Sequence, residues 1–315
     1  MSAGVGDPAA LARVRAVGVH RLAERIVREA VRALGPDARV LPLKGTLLAR
    51  THYDHVSERP MGDCDLAVAS VSRNEAIARL VRGGFRVLRV EADPHTTVLW
   101  SDAAPNIQLD LHTRPLPVGY GAVTSAWLLE GARRDEALFG VPVWVPSDPR
   151  LLVHLLGNVA RDHVVRAHAH AAEDVARVLE RGACEPAAFV EAARGARMSV
   201  SSRVALDWVR GVRDSEAVAR AYDALTEALT PSQRVLADWR FARLTAWGRE
   251  PALSWKARAL ARMAGDAPLD AAKGLLYGLY GLARKGLHAR DNLRSSAEQE
   301  RAGTQGRPGA PPSQG

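Results

Sequence analysis

An α+β fold is predicted, with strands and helices interleaved up to about residue 148 and helices alone after it. Three observations carry this. Short apolar runs of strand character cluster between Ala38 and Ser147, segments with a 3.6-residue apolar period fill the rest, and strand signals largely vanish beyond Pro149. With 315 residues and 47% hydrophobic content, the chain is long enough for two domains.

The elements follow in order. From Pro8 to about Leu34, Leu11, Val14, Leu22, Ile26 and Ala33 share one helical face, with Gly18 in the gap, and Gly35-Pro36 closes the segment. This gives an N-terminal helix, segment 1–37, packing on the core. ARVLPLKG is a short apolar run and GTLLARTHY reads as helix, a strand-turn-helix unit with Lys44, Gly45 and Thr46 at the turn. CDLAVAS is a strand, SRNEAIARLVRGG a helix with a glycine stop, and FRVLRVE a strand. TTVLWSDAAPNIQLDLHTR gives two strands joined near Ala104-Pro105-Asn106, and VPVWVPS near Val141 one more edge strand. These elements define a domain over 38–148. LLVHLLGNVARD, HAAEDVARVLERG, EPAAFVEAARG, VSSRVALDWVRGV, SEAVARAYDALTEAL, PSQRVLADWRFARL and DAAKGLLYGLYGLARKG then read as successive helices of a domain over 149–289. The tail, 290–315, has almost nothing to bury and is expected to be disordered. No sustained repeat period is found.

A net charge of +8 comes from an arginine excess spread along the chain, which favours phosphate-bearing ligands without localising a binding face. Only 5% of residues are aromatic, too few for the stacking platforms of single-strand binders, and sequence-specific DNA binding is not expected. Trp100, Trp144, Trp208, Trp239 and Trp247 read as core or interface anchors. Cys64 and Cys184 lie far apart, which points away from a disulfide framework or a thiolate zinc site and towards a reducing cytoplasm. The start of the sequence lacks a charged-then-apolar signal pattern, and no apolar run reaches the ~20 residues of a membrane span. The best candidate, GLLYGLYGLA from Gly274, is about half that length, and its Gly274-x-x-x-Gly278 spacing reads as close helix packing in water. A cytoplasmic protein with no membrane partner is expected.

The chemistry sits in RPMGDCDLAV. Side chains at i and i+2 of a strand share a face, so Asp63 and Asp65 project together while Cys64, Leu66 and Val68 turn to the core. In IQLDLHT, Ile107, Leu109 and Leu111 face inward and Gln108, Asp110 and His112 face the other way. Two neighbouring strands can thus bring three carboxylates to one site. Like charges this close call for cations, and hard oxygen ligands suit Mg²⁺ or Mn²⁺. A Lys-Gly-Thr turn opening a helix adds backbone donors and a cation suited to phosphate, and Arg59 sits just before the first aspartate. The plain alternative is a solvated strand edge.

The set Leu43-Lys44-Gly45, Arg59-Pro60-Met61-Gly62-Asp63-Cys64-Asp65 and Asp110-Leu111-His112 resembles the nucleotidyltransferases of the DNA polymerase β-like superfamily, and more closely an uncharacterised bacterial family reading L-K-G, R-P-x-x-D-x-D and D-x-H. The resemblance covers roughly residues 38 to 180 and places Asp174 in the family's D-x-A-x-x-L helix. It implies a polymerase β-like mixed sheet with flanking helices, followed by the all-helical domain. It further implies that Asp63, Asp65 and Asp110 bind two Mg²⁺ or Mn²⁺ ions and are catalytic: the first two hold the metals against a nucleoside triphosphate such as ATP, and Asp110 ligates the one activating the acceptor hydroxyl. Gly45 and Thr46 would stand where the superfamily has a glycine-serine pair on the phosphates. Lys44, Gly45, Thr46, Arg59 and His112 are the candidate substrate-binding residues.

Other features are set aside. Gly4-Val5-Gly6-Asp7-Pro8-Ala9 fits a dinucleotide pattern, but no strand precedes it. His163, His168 and His170 could be drawn as a metal site, or with Arg161 as a ribonuclease pair; a surface helix is the expected reading. The expected function is transfer of a nucleoside monophosphate from a triphosphate to an acceptor hydroxyl of a small molecule, protein or RNA, with release of pyrophosphate. The rivals are a non-catalytic nucleotide- or partner-binding module and one half of a toxin-antitoxin pair.

Overall fold

Asp7 starts the first helix by accepting the Ala9 N–H at 3.0 Å, and Pro8, which needs no partner for its nitrogen, takes the first helical position. The computed structural model describes residues 7–90, 95–163, 169–182, 184–249, 256, 259–261, 265–276 and 280. The expected disordered tail, His168, the Gly4–Gly6 pattern and most of the last helix, Gly278 included, lie outside these residues. Helix α1 (Pro8–Leu34) buries His20, Ala23, Ile26, Val27, Ala30, Val31 and Leu34. Leu11 and Val14, expected on the packed face, are 62% and 70% exposed. Among the described residues nothing covers the first turns, and the buried stripe starts only at His20.

Next come β1 (Arg39–Pro42), α2 (Lys44–Thr51), β2 (Asp63–Ala69), α3 (Arg73–Arg82), β3 (Phe85–Val90), β4 (Thr96–Ser101) and β5 (Gln108–His112). The five strands form one mixed sheet in the order β1-β2-β5-β4-β3. Only β2 and β5 run parallel; the other neighbours are antiparallel hairpins or returns. Parallel pairing requires a crossover, here supplied by α3, β3 and β4. Cys64, Leu66, Val68, Leu109 and Leu111 face a core closed by Ala23, Ile26, Val27 and Ala30 of α1 and Ala76 and Leu80 of α3.

The other face is partly covered by helices. After α4 (Ser125–Leu129), β6 (Arg133–Asp135) and β7 (Val143–Val145), the chain is helical: α5 (Asp148–Asn158), α6 (Ala169–Arg181), α7 (Pro186–Gly195), α8 (Ser199–Val212), α9 (Glu216–Ala228) and α10 (Pro231–Arg249). The strand expected near Val141 is β7, but it pairs with β6 in a separate two-stranded sheet. The helices share a core with Leu41, Leu43 and Ala67, so the sheet face that carries Asp65 packs directly against the helical half. One close approach fixes the seam. Gly121 has φ +55°, and a Cβ there would stand 2.1 Å from the Ala196 carbonyl, which accepts the Ala122 N–H at 2.7 Å.

Cys64 and Cys184 are free. Trp208 is buried as expected, whereas Trp239 is 45% exposed. Among the described residues no helix is long and apolar enough to cross a membrane.

Candidate active site

The parallel pairing of β2 with β5 determines the site. Its register sets Asp65 beside Asp110 and Asp63 beside Gln108, and the two-residue period places Asp63, Asp65, Asp110 and His112 on one sheet face. Asp65 is buried at 3% exposure, as is His112; Asp110 is half-buried and Asp63 is exposed at the start of its strand. One ligand atom from each of Asp65, Asp110 and His112 falls within 4.8 Å of the others. Of the three carboxylates expected together, Asp63 thus sits at the rim of the cluster and His112 takes its place inside it.

Asp65 is the hub. Its Oδ1 accepts from Lys44 Nζ at 2.7 Å and from His112 Nε2 at 2.8 Å, while the other imidazole nitrogen meets Thr96 Oγ1 at 3.1 Å. Because a carboxylate only accepts, Nε2 carries the proton and Nδ1 takes the hydroxyl's. Burial alone would raise the Asp65 pKa, yet the Lys44 ammonium and the His112 N–H hold it well below the carboxylate range. Burial drives His112 down to about 4, so the ring is neutral. Asp110 is pushed up to about 6 by burial and by the charges of Asp65 and Asp63. The Asp63 carboxyl is raised by Asp65 first and by burial second. The carboxylates of Asp65 and Asp110, with Asp63 on the same face, form an oxygen-donor set that fits a hard divalent metal, and His112 lies within reach of it.

The lysine-glycine-threonine turn joins β1 to α2, as expected of a strand-turn-helix unit. Lys44 stands at φ +45°, a left-handed conformation costly for a side chain, and that backbone aims its ammonium at Asp65. Thr46 is buried, and its hydroxyl accepts the Asp65 N–H at 3.0 Å. Gly45 is buried against Met61 and Arg59. Thr46 therefore ties α2 to β2.

Arg59 is also engaged. Its guanidinium forms a bidentate pair with Asp174 of α6, at 2.6 and 2.8 Å, and Tyr53 Oη donates to the same carboxylate at 2.8 Å. The Arg59 carbonyl meets His20 Nε2 at 2.8 Å. Arg59, a candidate substrate-binding residue, ties the loop before β2 to the helical half and lines the cavity beside the carboxylates. Its partner was legible only as part of a helix motif, and Tyr53 gave no signal at all.

A cavity of about 440 Å³ opens beside these groups, lined by Lys44, Asp63, Asn158, His170 and the Arg59–Asp174 pair among others. His170 is exposed on α6, as expected of a surface helix, and also lines this cavity; the His163 side chain is outside the described residues. Asn158 and His154 escaped sequence reading, although two polar residues at i and i+4 in the apolar run LLVHLLGN were a usable signal.

A family model described as an uncharacterised nucleotidyltransferase matches residues 9–207. No curated protein matches the chain.

Proposed function

Because the chain belongs to that uncharacterised nucleotidyltransferase family, we propose that it is a metal-dependent enzyme moving a nucleoside monophosphate from a triphosphate to an acceptor hydroxyl, with release of pyrophosphate. The observation that carries this reading is the register of β2 against β5, which sets Asp65 beside Asp110 with Asp63 and His112 on the same face. Asp63, Asp65 and Asp110 would hold one or two Mg²⁺ or Mn²⁺ ions, with His112 within reach of the same cluster. Bound there, such ions supply the positive charge that a reacting triphosphate and a leaving pyrophosphate require.

The chain's own residues divide the work. Asp63 and Asp65 serve the triphosphate and Asp110 the acceptor. His112 orients Asp65 through its N–H. Lys44 neutralises Asp65 beforehand and remains a phosphate-binding cation. The acceptor is a small molecule, a protein or an RNA. The test is incubation with each α-labelled nucleoside triphosphate, Mg²⁺ and a cell extract: label moving to an acceptor supports the reading, and its absence with every triphosphate counts against it.

A second reading, a nucleotide-binding module without catalysis, draws support from one observation. The Lys44 ammonium and His112 already satisfy Asp65 Oδ1, as a purely structural ion pair would.

A further inference from the structure

Away from the carboxylates, a depression of about 530 Å³ opens where the end of α1, the start of β1 and the β6–β7 ribbon meet. Its lining carries three arginines, Arg32, Arg39 and Arg134, and the Trp144 indole, against one carboxylate, Asp37. Arg39 opens β1 beside Ala69, four residues along β2 from Asp65. At about 3.3 Å per residue that is roughly 13 Å from the candidate metal cluster. From Arg39 the chain passes buried Leu41 before Leu43 reaches the Asp65 carbonyl with its N–H, so the depression is separate from the site already described.

The charge of this lining is not balanced where it stands. Asp37 is taken by Arg79, which lies outside the lining and meets its two oxygens at 2.6 and 3.0 Å. Arg134 pairs with Glu136, but both side chains are exposed, so that pair is worth little. An arginine in the last turn of a helix ordinarily serves the terminal carbonyls. In α1 the Val31 carbonyl accepts from the Gly35 N–H and the Leu34 carbonyl from Arg79 instead. Arg32 makes no hydrogen bond or ion pair among the described residues, and Arg39 makes only a stack on Trp144, with Cζ 5.0 Å from the ring centroid. The indole thus holds the Arg39 guanidinium without using its N–H groups, and the register of β6 with β7 sets Arg134 opposite the same tryptophan. Guanidiniums gathered at one depression repel one another, and an anion between them removes that repulsion.

We propose that this depression is an anion site in its own right, where Arg32 and Arg39 donate to a phosphate group of a ligand and Arg134 adds its charge. Guanidinium N–H pairs match phosphate oxygens in geometry, and one phosphate has oxygens enough for two arginines at once. The volume is that of a small-molecule site and exceeds what the phosphate alone needs. Trp144, Pro36 and Pro142 give apolar surface to whatever carries the phosphate. A free phosphorylated compound and a phosphate of an RNA strand present the same chemistry to these arginines. The inference stands without the nucleotidyl-transfer reading, because none of these residues belongs to the carboxylate cluster.

The experiment titrates the full chain with pyrophosphate and with a single-stranded RNA oligonucleotide by calorimetry, in EDTA so that the carboxylate cluster has no divalent ion to attract either. The wild type should bind at least one of them. Arg32→Gln and Arg39→Gln should each weaken that binding about tenfold or more, the worth of one charge-assisted hydrogen bond. Arg220→Gln removes another exposed charge, on α9, and should change it about twofold at most. Arg32 is exposed, so Arg32→Gln should melt with the wild type and carries the test even if Arg39→Gln, which loses its stack on Trp144, folds poorly. Pyrophosphate bound as tightly as the strand identifies a phosphorylated small molecule; a strand bound more tightly, with the same two arginines required, identifies RNA. A wild type that binds neither probe, equal losses in all three variants, or no loss in Arg32→Gln and Arg39→Gln overturns the proposal and leaves the transferase reading untouched.

Discussion

Replacing Lys44 by methionine tests the electrostatics of the site. The substitution keeps the shape of the stem and removes only the charge that Asp65 Oδ1 meets at 2.7 Å. Asp65 is 4% exposed in its side chain and Lys44 24%, so the pair is largely out of water. Breaking a buried pair from one side costs about 3–5 kcal/mol. His112 continues to donate to the same oxygen, so the low end applies, about 3 kcal/mol or roughly 6 °C in Tm. The loss should be reversible by metal: Mn²⁺ at about 100 times its Kd returns about 2.7 kcal/mol. In the wild type the ion must share Asp65 with the ammonium, so the Mn²⁺-induced rise in Tm should be larger in Lys44→Met than in the wild type. Thermal melts of both proteins, with and without Mn²⁺, decide it. A variant melting like the wild type, or one whose Mn²⁺ shift is no larger, would refute the argument that Lys44 stands where cation charge is wanted.

Three further outcomes are expected. Asp174→Asn leaves the Arg59 guanidinium, 14% exposed, with one acceptor oxygen and no charge on that side chain, and should lower stability by about 3 kcal/mol in urea titration; a change below the measurement error would mean the tie between loop and helix is idle. Gly121→Ala forces a Cβ to within 2.1 Å of the Ala196 oxygen at φ +55° and should cost at least about 2 kcal/mol by the same assay, with neutrality as the contrary result. His154 is held neutral by burial, its pKa lowered from 6.5 to about 3, so the unfolded chain takes up the proton first and stability is lost as pH falls between those values. His154→Gln should flatten that slope, and an unchanged slope would place the acid sensitivity elsewhere.

The strands bearing the aspartates were legible because period-two alternation makes a face assignment without knowledge of partners. Cys64, Leu66 and Val68 against Asp63 and Asp65, and Leu109 and Leu111 against Asp110 and His112, turned out on the faces the alternation requires. What the alternation cannot give is register, and register decides that Asp110 lies beside Asp65 and that Asp63 is left at the rim. Arg59 and Asp174 are 115 residues apart, and only the packing of α6 against the loop before β2 brings them together. A motif can mark both residues without saying that one consumes the other. The three-residue β6 had no periodicity to read, and α4, five residues long, scarcely more. Leu11 and Val14 misled because a helix that runs past the body it packs on keeps its apolar spacing where nothing covers it.

The central claim is that Asp63, Asp65 and Asp110 form a catalytic rather than merely a binding site, and Asp110→Asn tests it most directly. Affinity for Mn²⁺-ATP and the rate of labelled nucleotidyl transfer are measured on the same preparations of wild type and variant. Since Asp110 is assigned to the acceptor, the variant should keep affinity within a few-fold while transfer falls by roughly 10²-fold or more, the pattern of an interaction that matters mainly in the transition state. A wild type that binds the triphosphate yet transfers it to no acceptor, with Asp110→Asn indistinguishable from it, would contradict the claim and leave a nucleotide-binding module in its place.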